Sequence, residues 1–422
     1  MIKPKFALIP SAYKTSKVYS ILPNDGSADF DYTRGGNASK VNKDFLMEEI
    51  PFNEPRVCHL KEYSCPFLWT EGTVTNRILF SEEINNTYVW SYTSANVEAN
   101  ATISPRGTMT AEKLNCLTSY AYAYQSIGLV QNQLCSASVF VKKGNGNTVK
   151  LDVWNQYTQV QGSITYNFNT DTFTASPISN GTTQGVTHSE AIHYDDNWVR
   201  IAFTFKAGSY VSGNTYFRVF GDNSLSDSYV YLFGAQLETY SQKISSYVRT
   251  DFSTQSKSFD SINNAELNDY NGQKGTLFFD LVPFGNSNSF SYPQIQFNWS
   301  TAGSTPQYIS LRQKFDGTNN TTSIFVFKPY SAIYSYDIPT SNVRTKIALT
   351  YNTYATSNVR FDLYVDGVAL DSANYVGTPP QNIDVVQLRD AGSSNYYNGQ
   401  IFDLRYYDTN LSSNDAIKLT TL

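Results

Sequence analysis

Tyr120, Tyr122 and Tyr124 occupy alternate positions in the run Tyr120-Ala121-Tyr122-Ala123-Tyr124. In an extended chain alternate side chains share one face, so the three phenols form a stripe. Such a stripe can lie against the apolar side of a sugar ring while nearby amides or carboxylates reach the hydroxyls. Trp154 with Tyr157, and Tyr396-Tyr397 flanked by Asn395 and Asn398, offer the same combination. A structural reading stands beside each: antiparallel sheets favour aromatics whatever they bind, and a tryptophan such as Trp154 suits a core. The candidate site residues are Tyr120, Tyr122, Tyr124, Trp154, Tyr157, Asn395, Tyr396 and Tyr397, and the chemistry they suggest is binding.

Catalytic and metal-ligating sets do not assemble in the same way. His188 and His193 are five apart with Glu190 between them, which is not the helical His-Glu-x-x-His spacing, and on a strand they fall on opposite faces. Asp195-Asp196 precedes Trp198 as a turn would. The sequence holds no Gly-x-Ser-x-Gly elbow, phosphate loop or dinucleotide fingerprint. Cys58, Cys65, Cys116 and Cys135 have no zinc spacing, and reduced thiols are expected. No catalytic residue, metal or cofactor is assigned, and the chain is expected not to be an enzyme.

Composition narrows the partners. Charged residues make up 16% of the 422 residues and aromatics 15%, with 32 tyrosines. Soluble domains usually carry about 25% charged residues, so this Tyr-rich, charge-poor chain suits protein interfaces or sugar faces. The net charge is −5 and no basic tract is longer than Lys142-Lys143, which argues against nucleic acid. No segment approaches the roughly 18 apolar residues of a membrane span. The first residues do not read as an export signal, so neither membrane insertion nor secretion is expected.

The elements that would position these residues are strands. Trp198–Phe205 alternates Val199, Ile201, Phe203 and Phe205; Ser136–Lys143 and Thr148–Trp154 flank Gly144-Asn145-Gly146-Asn147 and predict a hairpin. Further on, the strand-like runs 275–281, 346–351, 361–368 and 398–406 follow in order, and Asp366-Gly367 predicts a type I′ turn. One helix is expected near the end, capped by Ser412 and Asp415 in Ser412-Ser413-Asn414-Asp415, with Leu411 as its staple. The fold class is all-β: two tandem antiparallel jelly-roll sandwiches, residues 86–250 and 251–422, preceded by an extended strand-rich N-terminal segment, residues 1–85.

Several motifs carry a family resemblance. The order of the final runs resembles a concanavalin A-like, laminin-G-like jelly roll. The Ser104-Pro105-Arg106-Gly107-Thr108 entry, Ser138–Lys142, Asn197-Trp198-Val199-Arg200, and Gly234-Ala235-Gln236-Leu237-Glu238 with Ser246–Thr250 resemble the carbohydrate-binding-module-like jelly roll of phage virion proteins. The short pieces of residues 1–85, such as Ala7–Lys14, Gly26–Asp31 and Thr33-Arg34-Gly35, are similar to the N-terminal region of fibre and structural proteins of crAss-like phages. Ser39-Lys40 stands where that pattern has Ala-Thr, and Trp69 where it has an aliphatic residue. The resemblance implies a virion fibre or spike protein, and because long charge-poor, aromatic-rich sheets left exposed would aggregate, a homo-oligomer (trimer or dimer) held by those β surfaces is expected. It would attach to capsid or tail proteins through the N-terminal segment and contact host cell-surface glycan; a glycan-binding module or depolymerase is the alternative. On this reading residues 1–10 serve as an anchor that both jelly rolls can fold without.

Overall fold

Period-two alternation governs the middle of the chain as expected. Val199, Ile201, Phe203 and Phe205 of Trp198–Lys206 are all buried in one core, together with Val139, Val141, Leu151 and Val153. Burying each such side chain contributes about 1.5–3 kcal/mol. Two six-stranded antiparallel sheets enclose that core. One runs Trp90–Thr93, Tyr122–Ile127, Thr215–Phe220, Thr148–Asn155, Gln159–Asn167, Thr172–Ala175; the other runs Ala95–Ile103, Met109–Cys116, Ser228–Thr239, Leu134–Lys142, Trp198–Lys206, Gln184–His193. The computed structural model describes residues 2–157, 159–175, 184–208, 213–239, 243–284, 294–299, 307–315, 320–328, 331–339, 343–355, 358–389 and 396–422.

The hairpin expected at Gly144-Asn145-Gly146-Asn147 is not one. Leu134–Lys142 pairs with Trp198–Lys206 and Ser228–Thr239, whereas Thr148–Asn155 pairs with Gln159–Asn167 and Thr215–Phe220, so this loop crosses between the sheets. Neither Asn145 nor Gly146 adopts positive φ. The glycines are required by close approach instead: a Cβ on Gly144 would lie 2.0 Å from the Tyr229 carbonyl oxygen, and one on Gly146 2.7 Å from Asp222 Cβ. Asp366-Gly367, in contrast, is the expected two-residue turn, with φ of 48° and 80° and Val365 opposite Val368.

The second sandwich faces an eight-stranded sheet against a six-stranded one. The larger runs Val368–Val376, Asn358–Val365, Thr345–Ala355, Lys274–Pro283, Gly399–Tyr407, Phe67–Thr70, Val57–Cys58, with Phe6–Leu8 as its eighth strand, also paired with Gly399–Tyr407; the smaller runs Ala265–Glu266, Val385–Gln387, Gln294–Asn298, Tyr308–Phe315, Asn320–Lys328, Ser331–Pro339. The helix Ser413–Thr420 begins where expected, with the Ser412 hydroxyl accepting from Asp415 N–H at 3.2 Å. It packs on the outer side of the larger sheet beside Phe278, Ala348, Tyr364 and Tyr407.

The N-terminal segment does not merely precede the sandwiches; it is woven into the second one. Phe6–Leu8 pairs with Gly399–Tyr407, setting Phe6 opposite Tyr406, and Phe67–Thr70 pairs with the beginning of that same strand. Phe30–Thr33 pairs with Ser261–Asn263, and Val74–Asn76 with Gln255–Lys257. Phe6 and Leu8 lie fully inside the C-terminal core, where the Phe6 ring meets Phe30 and Phe297 edge-on at 6.1 and 6.2 Å. A further apolar cluster containing Met47, Trp69, Phe140, Trp198, Tyr247 and Phe402 joins this segment to both sandwiches.

Where the segment crosses the link between the sandwiches, five charged side chains are buried together. Arg56 pairs with Glu71 and with Asp260; Lys257 Nζ lies 2.7 Å from Glu71 Oε2; Arg34 Nη1 lies 3.8 Å from Asp260 Oδ1. The remaining oxygens are satisfied. Ser246 donates to Glu71 from both its N–H (2.6 Å) and its hydroxyl (2.9 Å), Glu71 N–H donates to Asp260 at 2.7 Å, and the Tyr32 hydroxyl donates to Asp260 at 2.5 Å.

Phe6–Leu8 is therefore structural, and the expectation that both jelly rolls fold without residues 1–10 is corrected. Phe6→Ala should destabilise the C-terminal sandwich by about 3–5 kcal/mol, the range for emptying a buried aromatic site. Chemical denaturation followed by tryptophan fluorescence measures it, and a loss under about 1 kcal/mol would place Phe6 outside the core.

Candidate functional site

The outward face of the first sheet of the middle sandwich collects aromatic side chains around one arginine. On Tyr122–Ile127, Ala123 and Gln125 are buried, so Tyr122 and Tyr124 look outward. On Thr215–Phe220, Phe217 and Val219 join the core, leaving Tyr216, Arg218 and Phe220 on the other side; on Thr148–Asn155, Leu151 and Val153 do so, leaving Lys150, Asp152 and Trp154. Register then builds three rows. Tyr122, Phe220 and Lys150 stand side by side, as do Tyr124, Arg218 and Asp152, and as do Ser126, Tyr216 and Trp154.

The rings touch along the rows and between them. Tyr120 meets Tyr122 at 5.7 Å and Phe220 at 5.5 Å; Tyr122 meets Tyr124 at 5.6 Å and Phe220 at 4.6 Å. Tyr124 stands edge-on to Tyr216 at 5.3 Å, and Tyr216 stacks on Trp154 at 5.8 Å. Arg218 sits at the centre, its guanidinium carbon 4.9 Å from the Trp154 ring centroid, 5.1 Å from Phe220 and 5.3 Å from Tyr122. Asp152 grips it from the side through Nε (2.7 Å) and Nη2 (2.8 Å), and Lys150 Nζ approaches the same carboxylate at 3.1 Å. Burial opposes the Arg218 charge, but the hydrogen bonds and charge of Asp152 outweigh it and hold its pKa above the ordinary value.

Such a face can stack flat apolar surfaces while keeping hydrogen-bonding groups at hand. Ser91 and Thr93 border it beside Tyr124 and Tyr122, and Thr165 continues the row beyond Lys150. Tyr120 is 56% exposed, Tyr122, Tyr124, Tyr216 and Trp154 are half-buried, and the rings are held by one another and by Arg218 rather than by a loop. A ligand stacking on this surface would meet groups already in place, which lowers the ordering cost of binding.

The sequence candidates divide here. Tyr120, Tyr122, Tyr124 and Trp154 are brought together on this face. Tyr157 stands in the turn beyond the same strand, 59% exposed and packed so closely on Gly213 that a Cβ there would lie 2.4 Å from its ring. The Tyr396-Tyr397 pair is placed otherwise: Tyr397 is buried in the C-terminal core and Tyr396 is stacked on Phe259 at 3.9 Å, so neither ring is a free platform. Asn395 lies outside the described residues. Sequence reasoning missed Tyr216, Arg218, Phe220 and Asp152. The alternation of Thr215–Phe220 marks a strand, but nothing local says that it lies beside Tyr122.

Among the described residues no three His, Cys, Asp or Glu side chains are placed to hold a metal ion. His188 lies near Glu190, at 4.0 Å, and His193 near Asp171, at 3.2 Å. The four cysteines are free thiols. A cleft of about 490 Å³ opens near Glu49, Arg106, Arg249 and Asp251, but its arginines already hold carboxylates, Arg106 with Glu82 at 2.6 Å and Arg249 with Asp251 at 3.1 Å. Glu112 is buried by the 84–85 segment, accepts from Asn85 N–H at 2.7 Å, and is pushed up to about 8 by burial.

No protein-family model matches the chain, and no curated protein does. Among solved structures the chain is similar to the CBM40 of a Ruminococcus gnavus IT-sialidase bound to α2,3-sialyllactose, at 14% identity and a TM-score of 0.27 over 36% of this chain and 84% of that one. It is similar to domain 4 of AbnA, a GH43 extracellular arabinanase from Geobacillus stearothermophilus in complex with arabinotriose, at 18% identity and a TM-score of 0.28 over 39% and 73%. It is also similar to an N-terminal CBM22 tandem domain from Paenibacillus barcinonensis, at 10% identity and a TM-score of 0.26 over 81% and 99%.

The Glu112 carboxyl gives a pH test. It holds its proton to about pH 8 in the folded chain but only to about pH 4.5 once unfolded, so stability falls as pH rises between those values. Glu112→Gln, whose amide oxygen keeps the bond from Asn85, should leave the thermal midpoint unchanged below about pH 4 and raise it progressively toward pH 8. A midpoint difference independent of pH would contradict this.

Proposed function

We propose that this protein binds polysaccharide through the aromatic face of its middle sandwich, without turnover, as a structural subunit on the surface of a phage particle. The observation that carries the binding reading is the array of Tyr120, Tyr122, Tyr124, Tyr216 and Trp154 packed about the Arg218–Asp152 pair. Aromatic rings supply apolar contact to sugar C–H faces, and the charged pair with its serine and threonine border supplies hydrogen bonds to hydroxyls. An open face of this kind suits an extended glycan chain.

The virion reading is supported by the resemblance of the N-terminal and middle segments to phage fibre proteins. With Phe6–Leu8 taken up in the C-terminal sheet, contact with capsid or tail proteins falls to the outer surface of the N-terminal segment, where Phe52 is 62% exposed. A homo-oligomer, trimer or dimer, would multiply weak single-site contacts. Val368–Val376, an edge strand among the described residues that ends in the exposed Val376, is a surface through which copies could pair.

Tyr122→Ala with Tyr124→Ala should lower affinity for a bound neutral polysaccharide by about tenfold, since each stacked ring contributes about 0.5–1.5 kcal/mol. Affinity electrophoresis measures the loss. The thermal midpoint should stay within about 2 °C because both rings lie outside the core. A fall in midpoint with unchanged binding assigns the stripe to packing.

Particle location is tested by electron microscopy with an antibody to the C-terminal sandwich. Gold on intact phage particles is expected. Unlabelled particles from a lysate that contains the protein would overturn the virion reading while leaving glycan binding untouched.

A further inference from the structure

The C-terminal sandwich carries a second aromatic face, built on different terms. Ile309, Leu311, Ile324 and Val326 point into the core, so Tyr308, Arg312, Phe325 and Phe327 lie on the outer side of the smaller sheet, each partly exposed. Tyr308 stands opposite Phe327 across the strand pair, with Phe325 two residues away. The three rings are nearly parallel: Tyr308 lies 5.1 Å from Phe327 at 13° and 6.4 Å from Phe325 at 27°, and Phe325 lies 6.1 Å from Phe327 at 17°.

Arg312 covers these rings, its guanidinium carbon 4.0 Å from the Phe325 centroid and 5.3 Å from Tyr308. It is held by neutral groups. Nε donates to Gln294 Oε1 at 3.1 Å and Nη2 to the Tyr308 hydroxyl. Among the described residues no carboxylate pairs with Arg312, and its Nη1 donates to none of them. This sets it apart from Arg218, Arg344 and Arg405, each of which grips an aspartate. The acid in its row is Asp337, two strands away at roughly 10 Å by strand spacing and engaged by the Ser323 hydroxyl.

We propose that this face binds an acidic saccharide, a uronate or another carboxylate-bearing sugar. The rings take the apolar side of the sugar, and the free end of the Arg312 fork, Nη1 with the second N–H of Nη2, donates to its carboxylate. A charge-assisted, end-on pair of this kind is strong and directional, and Gln294 with Tyr308 fixes the guanidinium before the ligand arrives. One cation beside three rings matches a polymer with one charge every sugar or two. A nucleic acid, with a phosphate on every nucleotide, needs a basic tract that a chain of net charge −5 lacks.

The test uses the full chain, titrated calorimetrically with hyaluronan octasaccharide, a galacturonate hexasaccharide and sialyllactose, and with cellohexaose as the neutral arm. At least one acidic probe should bind, several-fold more weakly at high salt. Arg312→Gln should weaken that binding by about tenfold or more, Arg312→Lys should restore part of it, and neither should shift the thermal midpoint or the response to cellohexaose.

Four results would overturn the proposal. They are no binding of any acidic probe by the native chain, unchanged acidic binding in Arg312→Gln, loss of acidic binding in Tyr122→Ala/Tyr124→Ala instead, or a change of oligomeric mass on Arg312→Gln in light scattering, which would make the face a contact between copies. Cellohexaose binding reports on the middle face alone, so failure there is read separately.

Discussion

The buried charge cluster of Arg34, Arg56, Glu71, Lys257 and Asp260 is the constraint from which the arrangement of the rest follows. Three cations and two anions share a space closed to water, and isolated charges there would be costly. Geometry settles the balance. Burial disfavours the charged forms of Arg56 and Glu71, yet the attraction of Asp260 and Glu71 lifts Arg56 well above its ordinary range, and that of Arg56 and Lys257 draws Glu71 down to about 2. Lys257 yields to burial and falls below its usual value. Removing one partner from such a set leaves a naked buried charge, a cost of about 3–5 kcal/mol.

The members come from different parts of the chain, and that is what gives the cluster reach. Arg34, Arg56 and Glu71 belong to the N-terminal segment, Ser246 to the end of the middle sandwich, Lys257 and Asp260 to the start of the C-terminal one. Satisfying every oxygen fixes the three strands of chain at one relative position. The apolar cluster of Trp69, Phe140, Trp198 and Phe402 then fills the space around it. The two outward aromatic faces are therefore carried on sandwiches tied together at their junction, and a polymer touching both meets a fixed spacing.

Local pattern was legible in the sequence where a single strand or turn decides it. The alternation in Trp198–Lys206, the Asp366-Gly367 turn, the Ser412 cap and the tyrosine stripe are all present as expected. Pairing was not legible. Gly144 and Gly146 satisfy the hairpin pattern, but each is demanded by backbone or side chains from Tyr229 and Asp222, which no nearby residue announces. The adjacent Tyr396 and Tyr397 point oppositely on extended chain, so one had to be inside. Of the site itself, the stripe and Trp154 were visible. Arg218 and Asp152 were not, because an ion pair between Thr148–Asn155 and Thr215–Phe220 exists only once those strands are neighbours.

The pairing of Phe6–Leu8 with Gly399–Tyr407 sets an order on how the molecule is made. Phe6 and Tyr406 are separated by roughly 400 residues, so at about 5–20 residues per second the first strand waits some 20–80 s for its partner to emerge from the ribosome. All the strands of the middle sandwich are complete long before then. Phe6–Leu8 therefore finds its place only after the strand that follows it by most of the chain has been made. Until that strand arrives Phe6 and Leu8 lack the pairing partner that buries them, and apolar surface left open in this way is what exposes a newborn chain to aggregation.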